Sequence, residues 1–191
     1  MKNLRPLRMR GLRLYDLPAD TGWEEGLHAC SRFQSLDDPE RFAMYFVHEG
    51  PAVTETGGVT DAWDHHTLMV VREFRRVPLE ASALALALFT ARGGRAASVV
   101  AALAHFAERA VSVYQPSYLL LAQSFEAPHT VVLITGVHER AAFQAMKPQA
   151  FSLELLLPEL QPLLTTAPEW YAYCPDRAFS AVGCPVSQYA V

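Results

Sequence analysis

Residues 83–89 read Ala-Leu-Ala-Leu-Ala-Leu-Phe, small and large alternating with period two. Ala and Leu favour helix by propensity, but this period and the short length predict a strand buried on both faces. Gly93-Gly94 ends it. Over 95–111, Val99, Leu103, Phe106 and Ala110 are spaced by 4, 3 and 4, which sets them on one face of a helix. Gln115-Pro116-Ser117 stops that helix. Two β-branched and aromatic runs, 118–125 and 130–137, flank Glu126-Ala127-Pro128-His129, the signal of a hairpin. A short helix is predicted over 139–146, before Lys147-Pro148. Helix is also predicted over 153–164, with Ser152 as N-cap and Pro158 and Pro162 kinking or splitting it. A last strand, 169–173, lies between Pro168 and Pro175. The order is βαββαβ, that of a ferredoxin-like unit. The fold class is therefore α+β, an antiparallel sheet with helices on one face.

The N-terminal half gives strands at 11–16, 28–35, 42–48 and 68–75, with a hairpin around Asp37-Asp38-Pro39-Glu40. Setting residue n beside n+90 superimposes the two hairpins without a gap. Phe42, Met44 and Phe46 then fall on Val132, Ile134 and Gly136, and Val47-His48-Glu49 on Val137-His138-Glu139. Strand order and hairpin length agree as well, so a duplication is expected. The copies are unequal: 11 residues separate Asp16 from His28, whereas 26 separate Ala91 from Tyr118. The first copy has room for about two helical turns at most. The expected organisation is a degenerate unit over 1–80, a complete one over 81–175 and a tail over 176–191.

A chain that is 51% hydrophobic and 19% charged is not disordered. A net charge of −4 gives no basic footprint for nucleic acid. Residues 83–91, the most apolar stretch, fall far short of the ~20 a membrane-spanning helix needs. The basic start, residues 1–8, does not open into a signal peptide's apolar run. Cys30, Cys174 and Cys184 show no metal or redox spacing. Reduced thiols in a cytoplasmic protein are the expectation.

The second half resembles a known family through Gln115-Pro116-Ser117-Tyr118-Leu119-Leu120-Leu121-Ala122-Gln123-Ser124, Val131-Val132-Leu133-Ile134-Thr135-Gly136-Val137-His138-Glu139 and Glu169-Trp170-Tyr171. It is similar to the antibiotic biosynthesis monooxygenase superfamily of dimeric α/β barrels, over roughly residues 83–175. The resemblance implies two ferredoxin-like sheets packed face to face as a barrel. Each sheet would keep a cavity between itself and its helices. In the family two chains usually supply the two sheets. Here the two halves of one chain could do so, and a homodimer is expected. Some members oxidise polyketide-derived aromatics with oxygen and no cofactor, and others degrade haem. Active members often carry an Asn on the first strand, with a Trp and a His near the second helix. Neither 11–16 nor 83–89 holds an Asn, and Asp16 is the nearest polar counterpart. Trp63 and His66 are approximate counterparts of the other two.

His48 and His138, related by the 90-residue offset, each end an apolar strand face, where a His can serve as acid, base or ligand. The plainer alternative is a hydrogen-bonded His at the start of the next helix. Trp63-Asp64-His65-His66 is the densest polar and aromatic cluster. Its Gly57-Gly58 and Thr60-Asp61 flank reads as a loop, so the plainer alternative is a surface turn leading into a strand. Adjacent His65 and His66 point apart and do not readily share a metal, so no metal site is expected. His105 falls on the helix face away from the apolar stripe, a solvated position. Tyr118, Trp170 and Tyr171 are candidate pocket residues, with core or interface packing as the alternative. Arg72, Glu73, Arg75 and Arg76 read as a solvated strand edge. No G-x-G-x-x-G, P-loop, H-E-x-x-H or G-x-S-x-G is present, and no cofactor is expected. Three functions remain open. One is a cofactor-independent monooxygenase for a small apolar or aromatic molecule, using His48, Trp63, His66 or His138. The second is a haem-binding or haem-degrading protein. The third is a non-catalytic ligand-binding or assembly protein.

Overall fold

The computed structural model describes residues 9–16, 27–38, 40–48, 62–74, 83–114, 116–137 and 157–175. Its strands are β1 (Met9–Asp16), β2 (Leu27–Ser35), β3 (Arg41–His48), β4 (Ala62–Phe74), β5 (Ala83–Thr90), β6 (Tyr118–Ser124), β7 (Thr130–Val137) and β8 (Glu169–Pro175). They form one closed barrel in the order β1-β3-β2-β8-β5-β7-β6-β4. Every ladder is antiparallel. In each half the last strand lies beside the first, then the third, then the second, which is the ferredoxin neighbour order. All eight strands come from one chain, so closure needs no second copy. Closure also removes the exposed strand edges that invite aggregation.

The Ala-Leu alternation does build a strand with two buried faces. Leu84, Leu86 and Leu88 enter the barrel interior with Leu120, Ala122, Val132, Ile134 and Tyr173. Ala87 and Phe89 face outward, under the helix α1 (Ala96–Tyr114). A turn through Gly94, at φ 72°, connects β5 to α1; that left-handed conformation favours glycine. Along α1 the residues Val99, Leu103, Ala107 and Ala110 are buried against Leu119, Leu121, Val131 and Leu133. Fully burying a Val or Leu side chain such as Val99 or Leu103 contributes about 1.5–3 kcal/mol. Phe106 sits at the edge of the stripe, half-buried, and His105 is exposed, as its position on the helix predicts.

The stretch expected as helix over 153–164 is described from Leu157 on. It is a single turn, α2 (Leu157–Leu160), followed by a 3-10 turn (Gln161–Leu163) with Pro162 at its start. The change to a 3-10 turn falls at Pro162, which cannot donate an N–H to a continuing helix, while residues 153–156, before Pro158, lie outside the described residues. Leu160 and Leu164 close the layer beneath α1. The helix expected over 139–146 lies outside the described residues, as do the segment after β1, residues 17–26, and the tail. No helix among the described residues is long and apolar enough to cross a membrane.

Two departures from the expected pattern occur in β4. The strand starts at Ala62, six positions before the expected 68, so Trp63-Asp64-His65-His66 belongs to it and is no loop. Its two ladders overlap only at Leu68 and Met69: β1 pairs with residues 62–69 and β6 with residues 68–74, so Arg72 and Glu73 are paired on one side among the described residues, while Arg75 and Arg76 lie outside them. A bulge at Val71 shifts the alternation: Val70 packs toward the interior, Arg72 is exposed, and Glu73 comes opposite the inward Leu120. The extra residue thus keeps a guanidinium out of the barrel and admits a carboxylate instead. That carboxylate accepts a hydrogen bond from the buried Tyr118 hydroxyl at 3.2 Å.

Candidate functional site

The halves meet at two seams of unequal length. Between β4 and β6 the ladder runs from Leu68 to Phe74. Between β2 and β8 it covers only Phe33–Ser35, extended by the Leu36 N–H donating to the Ala172 carbonyl at 2.8 Å. The parts of β4 before Leu68 and of β2 before Phe33 therefore extend past the seams. There, among the described residues, the first-half sheet is paired only by its own strands.

Cross-strand register defines what that sheet presents. Residues directly opposite each other share a face. Phe33, Ala43 and Leu68 belong to the interior core and so identify the inner-face set. One inner row is Asp64, Leu14, Ala43 and Phe33. The next is His66, Leu12, Tyr45 and Ser31, and the third is Leu68, Arg10, Val47 and Ala29. The middle row lies between two rows that contribute to the core. It carries an imidazole, a phenol and a hydroxyl residue, and both its outer members lie beyond the seams. The second-half interior carries Leu84, Leu86, Leu88, Leu120, Ala122, Val132 and Ile134 together with the phenols of Tyr118 and Tyr173. Leu120, Ala122 and Val132 are fully buried and pack in one cluster with Phe33, Ala43 and Leu68 of the first half.

The residues singled out in the sequence separate accordingly. His66 falls in the middle inner row. Trp63 is the extra residue of a second β4 bulge, between the pairs Leu14–Asp64 and Tyr15–Ala62. His48 stands opposite Met9 and Leu27, in the other face set of β3, which it shares with Phe42. His66 and His48 are thus on opposite faces of the sheet. His138 lies outside the described residues. Tyr118 and Tyr171 face the interior, but Trp170 is 46% exposed on the outer side of β8, its ring meeting Phe89 edge-on at 6.2 Å. These three do not line one cavity. Tyr171 and Tyr173 share a face as expected, with ring centroids 6.3 Å apart.

Tyr45, Ser31, Asp64 and Arg10 join the inner-face set only through nonlocal pairing. The sequence carries no local signal for them beyond strand alternation. No group of His, Cys, Asp and Glu among the described residues is arranged to hold a metal ion.

Family models and curated proteins give no match to the chain. Solved structures do. An anthrone oxidase-like protein is 10% identical over 88% of this chain and 91% of its own, with a TM-score of 0.66. A ferredoxin-fold protein from Listeria monocytogenes 4b F2365, related to antibiotic biosynthesis monooxygenases, is 11% identical over 92% and 99%, with a TM-score of 0.57. A haem-degrading enzyme from Listeria monocytogenes is 12% identical over 85% and 99%, with a TM-score of 0.50. At these identities the likeness establishes the fold, a ferredoxin-like α+β fold, and not the activity.

Proposed function

We propose that this chain is a cofactor-independent monooxygenase of the antibiotic biosynthesis monooxygenase type, acting on a small aromatic compound at the inner row His66–Leu12–Tyr45–Ser31. That row is the observation that carries the proposal. His66 and Tyr45 are two ladder spacings apart, about 10 Å. Leu12 stands between them in the row. A fused aromatic system with polar substituents at both ends spans such a gap, in keeping with the preference of ligand sites for apolar walls and few polar groups. The likeness to an anthrone oxidase-like protein supports the same substrate class.

In this scheme His66 is the general base. It removes a proton from an acidic CH or phenolic OH, and Tyr45 and Ser31 hold the oxygen that gains negative charge. The substrate anion supplies the electrons. A methylene and O2 become a ketone and water: two C–H bonds break, one oxygen atom enters the product and the other leaves as water. No electron donor beyond the substrate is needed.

Oxygen uptake with a panel of hydroxylated anthrones and dihydroxy-aromatics, in chelator-treated buffer, tests the proposal. The expected result is substrate-dependent uptake and a ketone product containing one atom from labelled O2. Binding without uptake would favour the non-catalytic ligand-binding alternative, and absence of both would overturn the site itself. The haem alternative lacks comparable support. His105 and His129, whose side chains are described, are both exposed.

A further inference from the structure

We propose that Glu126, in the turn between β6 and β7, is a positioning residue for His66, acting through the peptide that joins His66 to Thr67. The inference rests on the His66 row being the functional site.

The observation is a substitution within a ladder. At Thr67 both backbone groups of β4 face the β6 side. The Thr67 carbonyl accepts the Phe125 N–H at 2.8 Å. A further β6 residue would be needed to accept the Thr67 N–H, but β6 ends at Ser124, opposite Leu68. Glu126 Oε2 takes that position, accepting the Thr67 N–H at 2.8 Å. The carboxylate is itself fixed, because the Ser124 hydroxyl donates to the same oxygen at 3.2 Å. That hydroxyl in turn accepts the Ala127 N–H at 3.1 Å. Thr67 and Ser124 are both buried, so water does not readily replace the carboxylate. Partial burial pushes the Glu126 carboxyl up. Hydrogen bonds from Thr67, from its own backbone and from Ser124 outweigh that and hold its pKa below the usual value, so the acceptor is ionised at neutral pH.

The place of this contact gives it consequence. Among the described residues it is the last tie between β4 and the second half before the strand continues toward His66 with β1 as its only paired neighbour. A strand paired on one side is prone to slip, and a slip of one residue moves every side chain to the other face. By holding the Thr67 N–H, Glu126 keeps His66, one residue away, in the inner-face set. The same seam bonds Leu68 in register with Ser124, so the lock acts on the site side of an already fixed ladder.

The test compares Glu126→Ala and Glu126→Gln with the parent in the ligand-free protein, by amide hydrogen exchange and by the NMR signals of the histidine rings. In Glu126→Ala, exchange at Thr67 and along residues 62–66 is expected to rise about 10-fold or more, while amides of α1 keep their rates. The His66 ring signal, assigned by its loss in His66→Gln, is expected to move, while that of His105 stays. Gln keeps one carbonyl acceptor and is expected to restore most of both properties. Unchanged exchange at Thr67, a rise spread evenly over the protein, or an unmoved His66 signal would each overturn the proposal. Neither readout needs turnover, so a lack of oxygen uptake in the parent would count against the oxygenase proposal and leave this one standing.

Discussion

His66→Ala is expected to lower aromatic-dependent oxygen uptake by about 10²–10⁴-fold, the usual contribution of a positioned general base. The fall should be in kcat, with KM changing less, because the imidazole acts on the proton in transit more than on ring binding. His105→Ala is the control, since that side chain is exposed on α1 on the far side of the sheet. Its uptake should match the parent. A His66→Ala protein that retains full uptake would remove the base from the scheme.

The second large effect concerns stability. Leu120→Ala is expected to cost about 3 kcal/mol, within the range measured for buried Leu truncations. For a chain of this size that corresponds to a fall in Tm of roughly 6–12 °C. Leu120 is fully buried inside the barrel, opposite Ile134 on β7 and Glu73 on β4, so its removal leaves a void between the β6–β7 ladder and the β4–β6 seam. Trp170→Ala should cost less despite the larger side chain, because that ring is half in solvent on the outer surface. Chemical denaturation of the two variants checks the order. A Leu120→Ala cost below about 1 kcal/mol would mean that the interior is not packed as described.

Why the two halves differ in legibility follows from where their information lies. In the second half the pattern is local. The alternation at 83–89 and the 4, 3, 4 spacing of Val99, Leu103, Phe106 and Ala110 each specify an element without reference to the rest of the chain. Observed strands there match the expected ones to within two residues. In β4 the pattern is broken twice. Bulges at Trp63 and Val71 interrupt the period of two, and polar residues occupy inner positions next to a glycine-rich segment. A strand with such a sequence reads as a loop followed by a charged edge. Local chemistry could single out His66, as the densest polar cluster does. It could not join His66 to Tyr45 and Ser31, because that row exists only once β4, β1, β3 and β2 are in register. Nor could it separate His48 from His66, since the face of a strand is assigned by its partners.

The site claim is tested most directly by mapping which histidines sense a bound aromatic. Protein labelled in its histidine rings is titrated with a hydroxylated anthrone under anaerobic conditions, where no turnover can occur. A saturable shift of the His66 ring signal is expected, together with that of the Tyr45 ring in a tyrosine-labelled sample, while His105 and His129 stay fixed. A saturable response at His105 or His129 with His66 unmoved would contradict it.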